Sequence, residues 1–412
     1  MKKLCFLALG LASVLAASAQ TSLVKDAERA MKNGTEGAKI VEMITPAFSD
    51  PATATLAQTW YVPGKAFFKE YDELLGIKAF KPDDPKADPV KMANLLLKGY
   101  DYFMKALPLD SVADSKGKIK TKYSKDIAST LSGHLTDYSS AGADLFNSKD
   151  YAGAYQAWGI LNELAANPAF SKGANVPADT ILGEIYFNQA LAAWQGEKYA
   201  DAYNAFVNAK NKGYNKKQLY DYAIAVALNI PDNEKVLEMA KAALPLYGAE
   251  DNNYMAQIVN YYLQAKDFDN AFSVINNAIA AEPNNAQYYV IQGVLYENQE
   301  KPAQAKESYL KAKNIDPKNP QALFNYGRLL CEDAYKVSDA APTSIAEYDV
   351  YYKDKIAPLF NEAATLLEQA YTLDMEQNPD TPNRDILKYL ENIYYNLKDE
   401  AKLNDVQNRM KY

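Results

Sequence analysis

The sequence predicts an all-α fold, an array of antiparallel helix pairs with helical insertions. Three observations carry this. Small and large apolar residues recur with a 34-residue period, so that Ala271 and Ala305, and likewise Pro283 and Pro317, stand one period apart. Within each period the apolar residues keep helical spacing, and no run of alternating β-branched residues interrupts them. The chain has 412 residues, whereas a single hydrophobic core stops growing near ~250–300 residues.

The unit from Ala286 to Asn319 shows the pattern most fully. Tyr289, Gly293 and Tyr296 take its fourth, eighth and eleventh positions. Ala305, Tyr309, Ala312 and Pro317 take the twentieth, twenty-fourth, twenty-seventh and thirty-second. Small residues at positions eight, twenty and twenty-seven let two antiparallel helices, A and B, come close. Large ones at four, eleven and twenty-four fill the space between them, and the proline ends helix B.

Taken in chain order, residues 1–19 read as a leader peptide. Lys2 and Lys3 precede an apolar run from Leu4 to Leu15, and Ala17-Ser18-Ala19 offers a cleavage site after Ala19. The run is shorter than the ~20 residues of a membrane span. Cys5 stands at its start, where a lipoprotein cysteine would stand at its end. The expectation is an exported protein without a lipid anchor, in the periplasm or secreted. Its mature chain keeps Cys331 as its one cysteine and so has no intramolecular disulfide.

Residues 20–130 read as an N-terminal helical region containing a divergent pair. Trp60, Gly64 and Phe67 fit helix A, with Pro63 expected to kink that helix or delay its start. Tyr100–Asp110 fits the end of helix B, beyond a proline-rich insert at Pro82–Pro89. Residues 131–412 read as the array proper. The unit at 135–168 carries Tyr138, Gly142, Leu145, Ala154, Trp158 and Leu161, and a linker follows at Ser171–Asp179. Units at 183–216 (Tyr186, Ala190, Ala202, Phe206, Ala209), 217–250 (Tyr220, Ala227, Val236, Ala240, Ala243) and 252–285 (Met255, Val259, Tyr262, Ala271, Ile275, Ala278) lead into 286–319. In the unit at 320–377, Leu323, Gly327 and Leu330 form helix A, while Ala363, Leu367 and Ala370 form a helix B displaced by about 24 residues. Asp339–Ser344 reads as a turn within that insertion, and Ser344 with Glu347 as a capping box. A degenerate pair at 385–410 is suited to capping the array.

This pattern resembles the tetratricopeptide repeat (TPR), strongly over 135–375 and weakly over 55–110. The resemblance implies a right-handed superhelical solenoid, and a concave groove lined by helix A that holds a partner's protein segment. Positions two, five, six, nine, twelve and thirteen usually face that groove. Here they give Phe187, Asn188, Leu191 and Trp194, then Tyr222 and Asn229, then Gln257, Asn260 and Gln264, then Asn298, and finally Phe324, Asn325 and Arg328. Their amides can donate and accept, which suits an extended backbone. The groove lacks the lysines of carboxylate-clamp repeats.

Chemistry is scarce in this composition. One histidine, His134, cannot build a metal site alone, and no nucleophile elbow or phosphate loop occurs. Ser22-Leu-Val-Lys25 and Ser115-Lys-Gly-Lys118 match Ser-x-x-Lys without its accessory motifs. Cys331 reads as a small packing residue. A formal charge of −8 argues against nucleic acid as the main partner. The basic run Lys116, Lys118, Lys120, Lys122 and Lys125 reads as a solvated loop or as a patch for an anionic partner. Asp110-Ser111-Val112 and Asp179-Thr180-Ile181 resemble acceptor motifs of a bacterial periplasmic O-glycosylation system. Tyrosine is abundant, at 32 residues against 14 phenylalanines, and surplus rings such as Tyr222 and Tyr261 suit peptide or sugar contact.

The function expected from these readings is that of a non-enzymatic periplasmic scaffold, without cofactor or metal, that binds protein segments during envelope assembly. A glycan-binding accessory to an outer-membrane uptake system is the alternative, and a repeat-fused enzyme stands third. If the groove is not the site, the inserted helices around Glu347–Lys355 are the next place to look.

Overall fold

The computed structural model describes residues 20–111, 117–248, 250–379 and 383–411. Residues 1–19, read above as a leader peptide and containing Cys5, and the segment containing Val112, Ser115 and Lys116 lie outside the described residues. Among the described residues no β-strand occurs beyond a single bridge residue, Ile119, and no helix is long and apolar enough to cross a membrane.

The chain divides into two compact units, one running to Asp232 and the other starting at Asn233. The first contains α1 (20–32), α2 (Gly37–Ile44), α3 (Ala57–Phe80), α4 (Pro89–Asp110), α5 (Ser124–Gly133), α6 (Asp137–Asn147), α7 (Tyr151–Ala166), α8 (Pro168–Ser171), α9 (Asp179–Gln195), α10 (Tyr199–Asn211) and α11 (Lys217–Ala227). The second contains α12 (Asn233–Tyr247), α13 (Asn253–Gln264), α14 (Phe268–Ala281), α15 (Ala286–Asn298), α16 (Pro302–Ile315) and α17 (Pro320–Asp339). It continues with α18 (Ile345–Tyr351), a π-helical turn at Tyr352–Ile356, α19 (Ala357–Gln377), α20 (Arg384–Leu397) and α21 (Glu400–Arg409).

Helix pairing follows the eighth position. A methyl group added at Gly142 would lie 2.5 Å from the Trp158 ring, so α6 and α7 touch through a bare backbone and an indole. Gly293 meets the Tyr309 ring in the same way across α15 and α16. Each glycine is sixteen residues before its ring. Gly327 meets Leu367 forty residues on, which is the regular spacing plus the 24-residue insertion. Gly64 meets Phe103 across α3 and α4, so the divergent pair packs by the same rule around its own insert. Ala154, Ala202, Ala271, Ala305 and Ala363, the small residues of helix B, are fully buried.

The turns between A and B repeat as well. Lys149, Glu197, Lys266, Glu300 and Lys398 all have φ between 55° and 68°. The first four hold the fifteenth position of their units. In the first of these turns the Lys149 N–H donates to the Phe146 carbonyl and the Asp150 N–H to that of Leu145, closing the end of α6.

Two local expectations need correction. Pro63 does not delay its helix: α3 starts at Ala57 and runs through the proline to Phe80. Val62, Pro63 and Gly64 are all buried, and their packing compensates for the one backbone hydrogen bond that proline removes. Ser344 does precede α18, but its side chain makes no capping hydrogen bond, so the capping box is not formed. Asn319 does cap α17, accepting from the Ala322 N–H at 2.9 Å.

Candidate binding surfaces

In the first unit, three of the predicted groove residues form one aromatic stripe on α9 and α11. Phe187 stacks on Tyr214 at 4.8 Å and on Tyr222 at 6.1 Å, and Trp194 lies 5.3 Å from Tyr222. Phe187 is only 7% exposed and acts as the floor, while Trp194 and Tyr222 are half-buried and offer their outer edges. Asn188 and Leu191 are also half-buried on α9. Asn229 is exposed, with its amide donating to the Ala225 carbonyl of its own helix at 2.9 Å. Tyr214, with the Lys216 ammonium 5.1 Å from its ring, extends the stripe and was not foreseen. Its signal was present: it stands at position thirty-two, where the units at 252–285 and 286–319 have proline.

In the second unit the predicted polar residues separate into engaged and unengaged groups. Asn298 donates to the Val294 carbonyl of its own helix, and Gln264 accepts from Asn233 at 3.0 Å. Arg328 is held between Glu297 and Glu332, the second contact being 2.7 Å, and the Tyr309 hydroxyl also donates to Glu297. Opposed carboxylates raise the Arg328 pKa although burial works against its charge. This guanidinium therefore ties α15 to α17 and is not a loose cation awaiting a ligand. Phe324 lies edge-on to Tyr389 at 6.0 Å. Gln257 and Asn325 are half-buried and Asn260 is exposed, and their side-chain amides make no hydrogen bond among the described residues. Gln287 donates to Gln321 at 2.8 Å, so equivalent helix A positions of these two consecutive units meet directly.

A third surface comes from the 24-residue insertion and the terminal pair. Ser338, Tyr348, Asp349, Tyr352, Tyr395, Asn396, Lys398 and Glu400 surround a cleft of about 510 Å³, floored by Ile356 and Phe360. Its path is not written in the repeat register, although the insertion around Glu347–Lys355 had marked its location.

Several of the groups singled out for their chemistry make structural contacts. His134 bonds Asp137 at 2.8 Å, lies 3.4 Å from Asp72 and stacks on Phe68 at 5.2 Å. Cys331 is fully buried, and burial pushes its thiol up to about 11, away from the thiolate a nucleophile needs. Asp110 accepts from the backbone N–H groups of Lys122, Tyr123 and Ser124 and from the Ser124 hydroxyl, at 2.6–3.1 Å, thereby capping α5. Burial opposes its ionisation, but those donors outweigh it and hold the carboxyl below its usual range. Asp179 opens α9 and pairs with Lys212 at 2.9 Å. Among the described residues no group of three or more His, Cys, Asp or Glu could hold a metal ion.

The described residues thus define an α-helical repeat protein. Its pairs, such as that at 286–319 with Gly293, Ala305 and Ala312 at the contact and a left-handed turn at Glu300, have the fold of a tetratricopeptide-repeat (TPR) array. No family model and no curated protein matches it. Similar solved structures include the C-terminal part of a TPR repeat-containing protein from Cytophaga hutchinsonii, at 14% identity over 65% of this chain and 92% of that one, TM-score 0.38. A TPR repeats protein from Bacteroides fragilis is 19% identical over 64% of this chain and 97% of its own, TM-score 0.33. YrrB, described as a TPR protein with an unusual peptide-binding site, is 18% identical over 49% and 95%, TM-score 0.31. The description of the fold rests on this chain's own register and packing.

Proposed function

We propose that this chain is a non-enzymatic scaffold that binds protein segments on the helix A faces of its repeats. The observation that carries this reading is the stripe of Trp194 and Tyr222 over Phe187. Rings stacked on a buried floor present large contact area that is already ordered, so little conformational entropy is lost on binding. The unengaged amides of Gln257, Asn260 and Asn325 supply donors and acceptors for a backbone in the second unit.

The leader-like residues 1–19 support export, and we place the working protein in the periplasm, serving envelope assembly. Cell fractionation with N-terminal sequencing tests this; a chain that keeps Met1 and stays in the cytoplasm contradicts it. For the binding itself, a photo-crosslinking side chain at Tyr222 or Asn260 is expected to capture a protein in the native envelope. Loss of that crosslink in Trp194→Ala ties it to the stripe. An absence of protein crosslinks, together with saturable oligosaccharide binding that Trp194→Ala abolishes, would replace this reading with the glycan-binding one.

A further inference from the structure

The insertion in the unit at 320–377 is anchored to the core through Ile356, with Tyr351 and Tyr352 packed partly against it, but most of its first helix is open. None of the residues of α18 is buried. Ile345 is 82% exposed and Val350 60%, and Tyr395 across the cleft is 72% exposed. A short helix with no buried residue that carries exposed apolar side chains marks a surface that something covers. The π-helical turn after it leaves the regular ladder at the cleft wall, a departure that recurs at functional sites. There the Tyr352 hydroxyl donates to the Asn396 carbonyl at 2.8 Å, joining the insertion to α20. Tyr348 and Tyr352 lie with their rings nearly parallel, 6.2 Å apart.

Charge selects the occupant. The second unit holds 27 acidic and 18 basic residues, whereas residues 20–232 hold 25 and 24. The elements that form the cleft, Ile345–Ile356 and Arg384–Arg409, are themselves nearly balanced in charge, so the selection rests on the lining. Asp349 and Glu400 line it, both exposed, and neither is paired with a cation among the described residues; Lys398 is the one basic group in the lining. Tyrosine faces attract guanidinium groups, and carboxylates at the mouth bind the same group through hydrogen bonds.

We infer that this cleft is a second binding site, distinct from the helix A faces, for a cationic protein segment that carries arginine beside an apolar residue. The apolar residue covers Tyr395, Ile345 and Val350, and the guanidinium lies against the tyrosines within reach of Asp349 or Glu400.

The test uses the full chain and a fluorescein-labelled, amidated pentapeptide, Ala-Arg-Leu-Arg-Ala, followed by anisotropy at low and moderate salt. Saturable binding is expected, weakening as salt rises. Tyr395→Ala and Asp349→Asn should each weaken it about fivefold or more. Glu376→Gln, which makes the same charge change at an exposed site outside the cleft, should leave it within about twofold, given the screening of distant surface charges. The peptide with glutamate in place of arginine should not bind. Thermal melts confirm that each variant is folded. No binding of the arginine peptide, equal binding of the glutamate peptide, or equal losses in Asp349→Asn and Glu376→Gln would each overturn the proposal. So would binding of a neutral oligosaccharide that Tyr395→Ala abolishes while the arginine peptide does not bind.

Discussion

The unit ending at Asp232 and the unit starting at Asn233 share one rule of helix pairing but differ in what they display. In the first, glycine and aromatic ring interlock at Gly64 with Phe103 and at Gly142 with Trp158, and further aromatics emerge as a stripe at Trp194 and Tyr222. In the second, Gly293 with Tyr309 and Gly327 with Leu367 do the same packing work, while the display is of amides, ion pairs and surplus carboxylates. The repeat constrains only the positions that touch across a pair. The remaining positions are free to take a different chemistry in each unit.

The largest effect should come from overfilling that shared contact. Ala154 and Ala305 hold the twentieth position in the two units, and both are fully buried. Tryptophan at either must drive helices A and B apart, at ~1–3 kcal/mol or more. Ala154→Trp and Ala305→Trp should therefore both melt well below the parent. If one melts within a degree of it, the pairing rule fails in that unit.

Acid sensitivity separates the units next. Asp110 in the first has a depressed pKa, for the reasons given above. Glu368 in the second is also lowered, since the Arg409 guanidinium at 2.8–2.9 Å and the Tyr394 hydroxyl outweigh burial. For both, the native state binds fewer protons than the unfolded chain at acid pH. Their stabilisation is therefore present above the ordinary carboxylate pKa and is lost as pH falls through the lower folded value. Asp110→Asn should cost ~1–3 kcal/mol at pH 7, because several part-buried backbone donors lose a charged acceptor. Glu368→Gln should cost less, ~0.5–1 kcal/mol, because its ion pair is partly exposed and screened. In both variants the difference from wild type should shrink below about pH 4. A difference independent of pH would show that the carboxylate charge is not what stabilises either contact.

The smallest effect lies in the turns. Lys149 and Glu300 adopt left-handed backbone without being glycine. Lys149→Gly and Glu300→Gly remove a cost of ~1–2 kcal/mol for that conformation and add back ~0.5–1 kcal/mol of backbone entropy, leaving a gain of about 0.5 kcal/mol. Chemical denaturation resolves that gain, and a loss of similar size would mean that the side chains themselves hold the turns.

The packing half of this structure is legible in the sequence because its code is local and periodic. Glycine at the eighth position and a ring or branched side chain sixteen residues later identify the pairs at Gly142 and Gly293, and the same contact recurs across the insertions before Phe103 and Leu367. The binding half is less so. Phe187, Trp194 and Tyr222 stand at helix A positions that the register marks, but their stacking is seen only in the structure. Arg328 could not be assigned from its position alone, since its role depends on Glu297 in the preceding unit and Glu332 one turn along. The cleft at Tyr348 and Tyr395 depends on how an insertion folds back over the terminal pair, for which a 34-residue register holds no information. Tyr214 illustrates an intermediate case: its identity departs from the proline of other units, but only the structure shows the ring turning onto Phe187.

The central claim is that helix A faces bind a protein segment while the pair contacts hold the fold. Titration calorimetry tests it most directly, using the segment identified by crosslinking against two folded double variants, Trp194→Ala with Tyr222→Ala and Asn260→Ala with Asn325→Ala. Each lost aromatic or amide contact in a desolvated site costs ~1–3 kcal/mol, so at least one double variant should bind the segment tens of fold more weakly, with its melting temperature nearly unchanged. Wild-type affinity in both double variants would contradict the claim and move recognition off the helix A faces.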